Sequence, residues 1–548
     1  MASLNPRNGL LGRRLAAHLL RRVTLGPTRS EIDTFAQMTA TQAVAALTST
    51  TGFALPSPPI DPQTGSTWVY GNGGGGSGYL RQSYMSAWWL REAFEKKAPH
   101  LAQKITWLYH TMFTASHEDR SSENQFHQIA LFREYANGSL KDLARKIIMD
   151  NSMIEYLDSQ VSTKYRPNEN FPRELLELFT IGKGPQIAAD NYTNYTEYDI
   201  QTAARIFTGI KKNEDYTNNN YYPGTQISRG RIDEAHHDDT NKTFSSAFGS
   251  QTILGRSGVN DIGQEFDDFI TMVFNQPATA VNYAQKIYRF FAHTDITSEI
   301  QQDIIEPLAA LLRTNNYDLL PALQTLLTSI HFYDEDDTIS TDEMIGAKIK
   351  SPMEYFVSLT RFFDMDMPAE GSTQTSREEY YKKWWREVVL QHFLGEADME
   401  IWTPPSVAGF NAYYQAPAYD RSWISANTLP FRYKMVEYFI TGQNPISQWR
   451  QMPVLFHAMA FVTDPANISN PRNPDTLVQE LIDYLFCESP TPQRFAFFRD
   501  DLLLDNHSVA MWQQEWDDYI RTGDATGVQP RIEALVRGLV QTPEFQLM

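Results

Sequence analysis

Glu174 and Glu177 stand three residues apart in the stretch Pro167-Asn168-Glu169-Asn170-Phe171-Pro172-Arg173-Glu174-Leu175-Leu176-Glu177-Leu178-Phe179-Thr180-Ile181-Gly182. On a helix that spacing stacks two carboxylates one turn apart. Such a pair can divide the acid and base roles of a hydrolysis, or hold a divalent metal. It can equally be solvated or paired with Arg173, which lies four residues before Glu177. A second set is His236-His237-Asp238-Asp239 with Lys242, an imidazole, a carboxylate and an amine in a polar stretch. A third is His110, in Leu108-Tyr109-His110-Thr111-Met112-Phe113, with His117 seven residues on and on the same face if the helix continues. Brought together, His110, His117, Glu174, Glu177, His237 and Asp238 would hold one divalent metal ion and its activated water. Without a metal, Glu174, Glu177, His237, Asp238 and Lys242 would supply acid and base, as in glycoside cleavage. Each set also has a plain structural reading. A histidine among aromatics is commonly a hydrogen-bonded core residue, and a polar loop is commonly just surface.

The elements that must position these groups are mostly helices. In the Glu174 stretch, Asn168 or Asn170 can cap a first turn and Pro172 is tolerated early. Leu175, Leu178 and Phe179 form one stripe with Phe171 a turn before, and Gly182 is a left-handed stop. Residues 10–23 and 28–48 read as helices around Leu25-Gly26-Pro27-Thr28, with Thr28 or Ser30 as cap and Glu31 in the first turn. Residues 50–79 are a loop rich in proline and glycine, ending in a glycine run that lacks the lysine and hydroxyl of a phosphate-binding loop. Helices follow over 80–116 and 124–158, and again from Thr196, with Asp199 in a capping-box position. Residues 211–260 lose the helical period and read as a polar excursion with one or two hairpins. Helices return over 263–365 and 376–400, with a polar linker at 366–375. Residues 400–425 form a Pro- and aromatic-rich loop in which Trp402, Tyr413, Tyr414 and Trp423 would line a substrate groove together with Arg173, or pack the loop onto helices. Residues 430–548 are helical. One ending recurs at Leu143–Ile154, Ala322–Phe332 and Ala534–Phe545: a helix, a short cap, then an apolar anchor. The expected fold is mainly α, a large multi-helix orthogonal bundle with long irregular loops and at most minor β-hairpins, built as one unit over 1–548.

The Glu174 stretch, read as Asn-Glu-Asn-Phe-x-Arg-Glu-Leu-Leu-Glu-Leu-Phe-Thr-x-Gly, resembles the signature of the bacterial family known as domain of unknown function 1800 (DUF1800). Further matches run in order along the chain: Ala17-His18-Leu19-Leu20-Arg21-Arg22 to Gly26-Pro27-Thr28, His237-Asp238 with Lys242 and Leu254-Gly255, Lys350-Ser351-Pro352 with Glu354, and Pro405-Ser406-Val407-Ala408-Gly409-Phe410. Two positions depart from the family pattern. Met112 stands where a second histidine is usual, and Thr240 replaces a glycine. The resemblance implies a large helical bacterial protein of the envelope or extracellular space, often encoded beside a sulfatase-like partner.

Composition narrows the function classes. The 548 residues are 42% hydrophobic, enough for a sizeable core, and carry a net charge of −19, which disfavours a nucleic-acid partner. The single cysteine, Cys487, excludes an internal disulfide and a cysteine-based metal cluster. No run approaches the ~20 apolar residues of a membrane span. The N-terminus does not show the order of a signal peptide, and Arg13-Arg14 opens an amphipathic helix instead. No Gly-x-Ser-x-Gly elbow, His-Glu-x-x-His, Walker loop or dinucleotide fingerprint is present. Two functions remain in view: a hydrolase, metal-assisted or acid/base, acting on a polymer such as a glycan, and a non-catalytic envelope assembly protein. A sensor resting on the glycine-rich flap is a third.

Overall fold

Helix-start chemistry sets most of the element boundaries. Thr28 accepts from the Glu31 backbone N–H (3.2 Å) while Glu31 accepts from that of Thr28 (2.8 Å), opening the helix Arg29–Ala36. Asp199 closes the same box on Thr196 (2.8 Å) ahead of Glu197–Ile206, and Glu354 on Ser351 (2.7 Å) ahead of Pro352–Phe362. The recurring helix ending has one physical basis. Asp150, Ser329 and Thr542 each accept from the backbone N–H three residues on, at Met153 (2.8 Å), Phe332 (3.2 Å) and Phe545 (3.4 Å). Each cap turns the chain so that an apolar side chain re-enters the core.

The computed structural model describes residues 2–71, 78–95, 97–116, 121–189, 191–216, 220–336, 344–446, 452 and 454–548. The glycine run at 72–77 and His117 lie outside them. The protein is mainly α-helical, and three two-stranded antiparallel sheets are present among the described residues. Two are the hairpins of the polar excursion, Ile210–Lys211 with Arg231–Ile232 and Lys242–Thr243 with Thr252–Ile253. The third, Gln186–Ala188 with Asn191–Tyr192, follows the Glu174 helix and is not anticipated by the alternation of its residues.

The Glu174 helix differs from its expected form. Asn168 Oδ1 accepts from the Asn170 N–H (2.9 Å), and the helix runs as α over Asn170–Glu174, then widens to a π-helix over Leu175–Phe179. The extra residue per turn shifts the phase of the apolar stripe. Leu176 joins Phe171, Leu175 and Phe179 in the core, while Leu178 is left half-buried. Gly182, at φ +73°, ends the element, and its N–H bonds the Leu176 carbonyl (2.9 Å).

A hydrophobic cluster runs from Ala2 to Phe545 and draws both ends of the chain in. Arg14 reaches the Cys487 carbonyl (3.3 Å) and Glu488 (2.5 Å), and the Met548 N–H bonds the Lys348 carbonyl (2.8 Å). Among the described residues no helix is long and apolar enough to cross a membrane.

Candidate functional site

The π-helical end of the Glu174 segment leaves carbonyls without partners in their own helix. Three side chains of the helix Pro277–Phe291 satisfy them. Asn282 Nδ2 donates to Thr180 O (2.6 Å), Tyr283 OH to Phe179 O (2.7 Å) and Lys286 Nζ to Leu178 O. A cation suits that position, because a helix C-terminus carries partial negative charge. Beside this junction lies a cavity of about 260 Å³. Glu177 and Leu178 form one wall, Lys286, Arg289 and Phe290 a second, and Thr111, Met112 and Thr114 at the end of the helix Ala102–Met112 a third. The 400–425 loop closes it with Tyr413, Tyr414 and Tyr419. Gly409 makes this closure possible. It sits at φ +98°, and a Cβ there would come within 3.2 Å of Thr114 Oγ1.

The charges around the cavity are unevenly paired. Glu177 is tied by Lys183 Nζ (2.5 Å) and accepts from Tyr195 OH (3.4 Å). Glu174, one turn earlier, is half-buried, and its carboxyl makes no hydrogen bond or ion pair among the described residues. Burial, then the charge of Glu177, pushes its pKa up to about 7. Arg173 does not pair with Glu177. It is drawn instead to Glu197 (2.6 and 2.9 Å) and Glu169 (3.1 Å), which leaves it away from the cavity lining. Burial, then the neighbouring Arg289, lowers Lys286 to about 8. Arg289 donates to Thr294 O (3.3 Å) with its guanidinium carbon 5.5 Å from the Tyr419 ring centroid. Neither cation meets a carboxylate among the described residues.

The His-Asp-Lys set lies elsewhere and is internal. His237 engages Thr208 O through Nδ1 (2.9 Å) and Glu265 Oε1 through Nε2 (3.1 Å). Lys242 donates to Glu265 Oε2 (2.5 Å) and to the Asp238 carbonyl. The side chains of His237, Lys242 and Glu265 are almost wholly out of solvent. Burial would raise Asp238, yet bonds from Arg205 (2.8 Å) and from Thr240 hold it at about 2. Thr240, in place of the family's glycine, also turns its hydroxyl onto Asp238 (2.5 Å). The set therefore pins the polar excursion to the helix Val259–Phe274 rather than opening onto a groove.

The remaining candidates separate likewise. His110 is buried against Trp107 and Trp402, at ring separations of 5.0 and 4.6 Å, and is not in the cavity lining. Trp402 and Trp423 are core residues, whereas Tyr413 and the exposed Tyr414 line the cavity. Tyr413 OH accepts from Trp107 Nε1 (2.9 Å), fixing its ring beside Phe290. Among the described residues no group of three or more His, Cys, Asp or Glu side chains is arranged to hold a metal ion. Lys286, Arg289 and Glu265 belong to none of the motifs that mark the other candidates. Each had a signal: Asn282, Lys286 and Arg289 share a helix face, and Glu265 falls on the apolar stripe of Ile262, Phe266 and Phe269.

The cavity thus joins three segments that resemble family motifs: the Glu174 helix, the His110 helix and the Pro405–Phe410 loop. No curated protein and no solved structure matches the chain. The model of the family described as "Protein of unknown function (DUF1800)" matches residues 18–547, and the chain belongs to that family.

Proposed function

We propose that the cavity is the centre of an acid/base hydrolase acting on a polymer of the cell envelope or extracellular space, such as a glycan. The observation that carries this reading is the Glu174–Glu177 pair. One carboxyl, a turn outside the cavity lining, is half-buried with no hydrogen bond or ion pair among the described residues and is pushed up to about 7, and the other is in the cavity wall beside Lys183. Two adjacent carboxyl groups in different environments suit separate acid and base roles. Glu174 is assigned as proton donor, and Glu177 as the carboxylate that faces the substrate and activates water. Tyr413 and Tyr414 offer ring faces and hydroxyl groups for a sugar, and Lys286 and Arg289 offer hydrogen-bond donors that would position its oxygens. A metal-assisted form of the reading would place a divalent ion on the two carboxylates. Elemental analysis of protein purified without chelator, compared with Glu174→Gln, separates the two forms.

The test is release of reducing ends from a panel of envelope and extracellular polysaccharides. Glu177→Gln is expected to lower the rate about a hundredfold or more with its melting curve unchanged. Equal rates in wild type and variant, or none across the panel, would overturn the assignment.

One observation favours a second reading, a non-catalytic assembly protein working beside a sulfatase-like partner. The His237, Lys242, Ser351 and Glu354 motif residues all serve internal bonds. Retention of partner binding in Glu177→Gln, with no hydrolysis by wild type, would support it.

A further inference from the structure

A second concavity, about 390 Å³, lies between the last turn of the helix Leu140–Ile147, the hairpin around Arg231–Ile232 and the helix Val259–Phe274. Arg145 and Lys146 enter its lining from the first helix, and Arg229 and Arg231 from the hairpin. The chain has 66 acidic and 47 basic side chains, so a cation here has many possible partners. Among the described residues, Arg145 alone of these four finds one, Asp267. Lys146, Arg229 and Arg231 form no ion pair among the described residues. Aromatic rings hold two of them instead. Lys146 Nζ is 5.3 Å and Arg229 Cζ 6.0 Å from the centroid of the buried Tyr222 ring, whose hydroxyl donates to the Lys146 carbonyl (2.7 Å). Burial, then the charges of Arg145 and Arg229, lowers the Lys146 pKa, with Asp142 and Asp267 only partly opposing.

Lys146 and Arg229, both over the Tyr222 ring, and the exposed Arg231 beside them, with no ion pair among the described residues, leave a positive hollow in an acidic protein. Folding alone gains nothing from that arrangement, because like charges held together raise the energy of the folded state. A bound anion removes the cost.

We infer that this hollow is an oxyanion-binding site, separate from the Glu177 cavity, that takes a phosphate monoester or a sulfate ester through Lys146, Arg229 and Arg231. Guanidinium groups match such oxygens in pairs. The volume falls within the ligand-pocket range of about 300–1,000 Å³, so it holds part of the carrier molecule and not only the ion.

Calorimetric titration of the full chain with sodium phosphate, sodium sulfate and sodium acetate, at constant ionic strength, tests this directly. Saturable one-to-one binding of phosphate or sulfate, stronger than acetate, is expected. Tighter phosphate points to a phosphate ester and tighter sulfate to a sulfate ester. Arg229→Gln and Lys146→Gln should each weaken binding about tenfold or more, as loss of one charge-assisted bond implies. Lys97→Gln, at an exposed lysine outside both cavities, should leave it unchanged. Melting curves of the variants matching wild type show that the fold is kept. No saturable binding, equal affinity for acetate, or an affinity unmoved by Arg229→Gln and Lys146→Gln would overturn the site.

Discussion

Glu265 gives one carboxylate oxygen to His237 Nε2 at 3.1 Å and the other to Lys242 Nζ at 2.5 Å, with almost none of the three side chains in solvent. The oxygen that meets His237, Oε1, also accepts from the Arg256 N–H (2.6 Å). The carboxylate therefore joins three points of the polar excursion to one helix. Replacing it by Gln leaves Lys242 buried without a counter-charge, a change that typically costs about 3–5 kcal/mol. Glu265→Gln is expected to lower the denaturant midpoint, and adding Lys242→Met to recover part of the loss. An unchanged midpoint in the single variant would show that water reaches this network.

Glu174 makes the opposite prediction. An ordinary glutamate titrates near pH 4.3, and here the folded form holds its proton up to about pH 7. Between these values the folded chain keeps a proton that the unfolded chain has released, so stability falls as pH rises through this window. Above it the cost is fully present. Glu174→Gln should flatten this slope and leave Tm at pH 8 equal to or above wild type, measured by calorimetry from pH 4 to 8. A Tm well below wild type at pH 8 would mean that Glu174 carries a structural bond.

Lys286 shifts in the other direction, to about 8 in the folded chain. The charged form is penalised there, so its contribution to stability improves as pH rises from about 8 towards the ordinary lysine value of about 10.4. At pH 8 a large share of its amine is free of the proton. Amine-reactive labelling at pH 8, followed by peptide mapping, should modify Lys286 ahead of exposed lysines such as Lys97. Slower labelling than Lys97 would show that the cavity is closed to the reagent.

Gly409→Ala tests the loop that closes the cavity. The backbone at φ +98° and the Thr114 Oγ1 at 3.2 Å both resist a methyl group. A loss of about 1–2 kcal/mol is expected from the backbone alone. Tryptophan emission should change with it, because Phe410 and Tyr413 hold the loop against Trp107. Unaltered stability would place the loop's anchorage in the aromatic contacts and not at Gly409.

Local chemistry was readable along the chain. The capping boxes at Thr28 and Thr196, the stop at Gly182, the hairpins of 211–260 and the mainly helical fold follow from interactions spanning a few residues. Side-chain spacing alone reports such interactions, and so does the family resemblance carried by the Glu174 stretch. Of the candidate residues that type and spacing mark, Glu177, Tyr413 and Tyr414 line one cavity, and Glu174 lies a turn from it.

Partner choice was decided only in three dimensions. Arg173 could reach Glu177 along one helix, but Glu197, from another, offers a better two-point contact. His237, Asp238 and Lys242 read as a loop site, yet Glu265, more than twenty residues on, turns them inward. Trp402 and Trp423 suit groove walls by type but are core, because Trp89 and Trp107 meet the first and Phe410 and Tyr413 the second. Which segments are helical, and several of their caps, were legible from residues a few positions apart, whereas the break of the 28–48 segment into Arg29–Ala36 and Ala40–Leu47 and the π-helical end of the Glu174 helix were not. Which polar groups pair is set by how separate elements meet, from about two dozen residues apart for Arg173 and Glu197 to over a hundred for Lys286 and Leu178, and spacing along one helix does not report it.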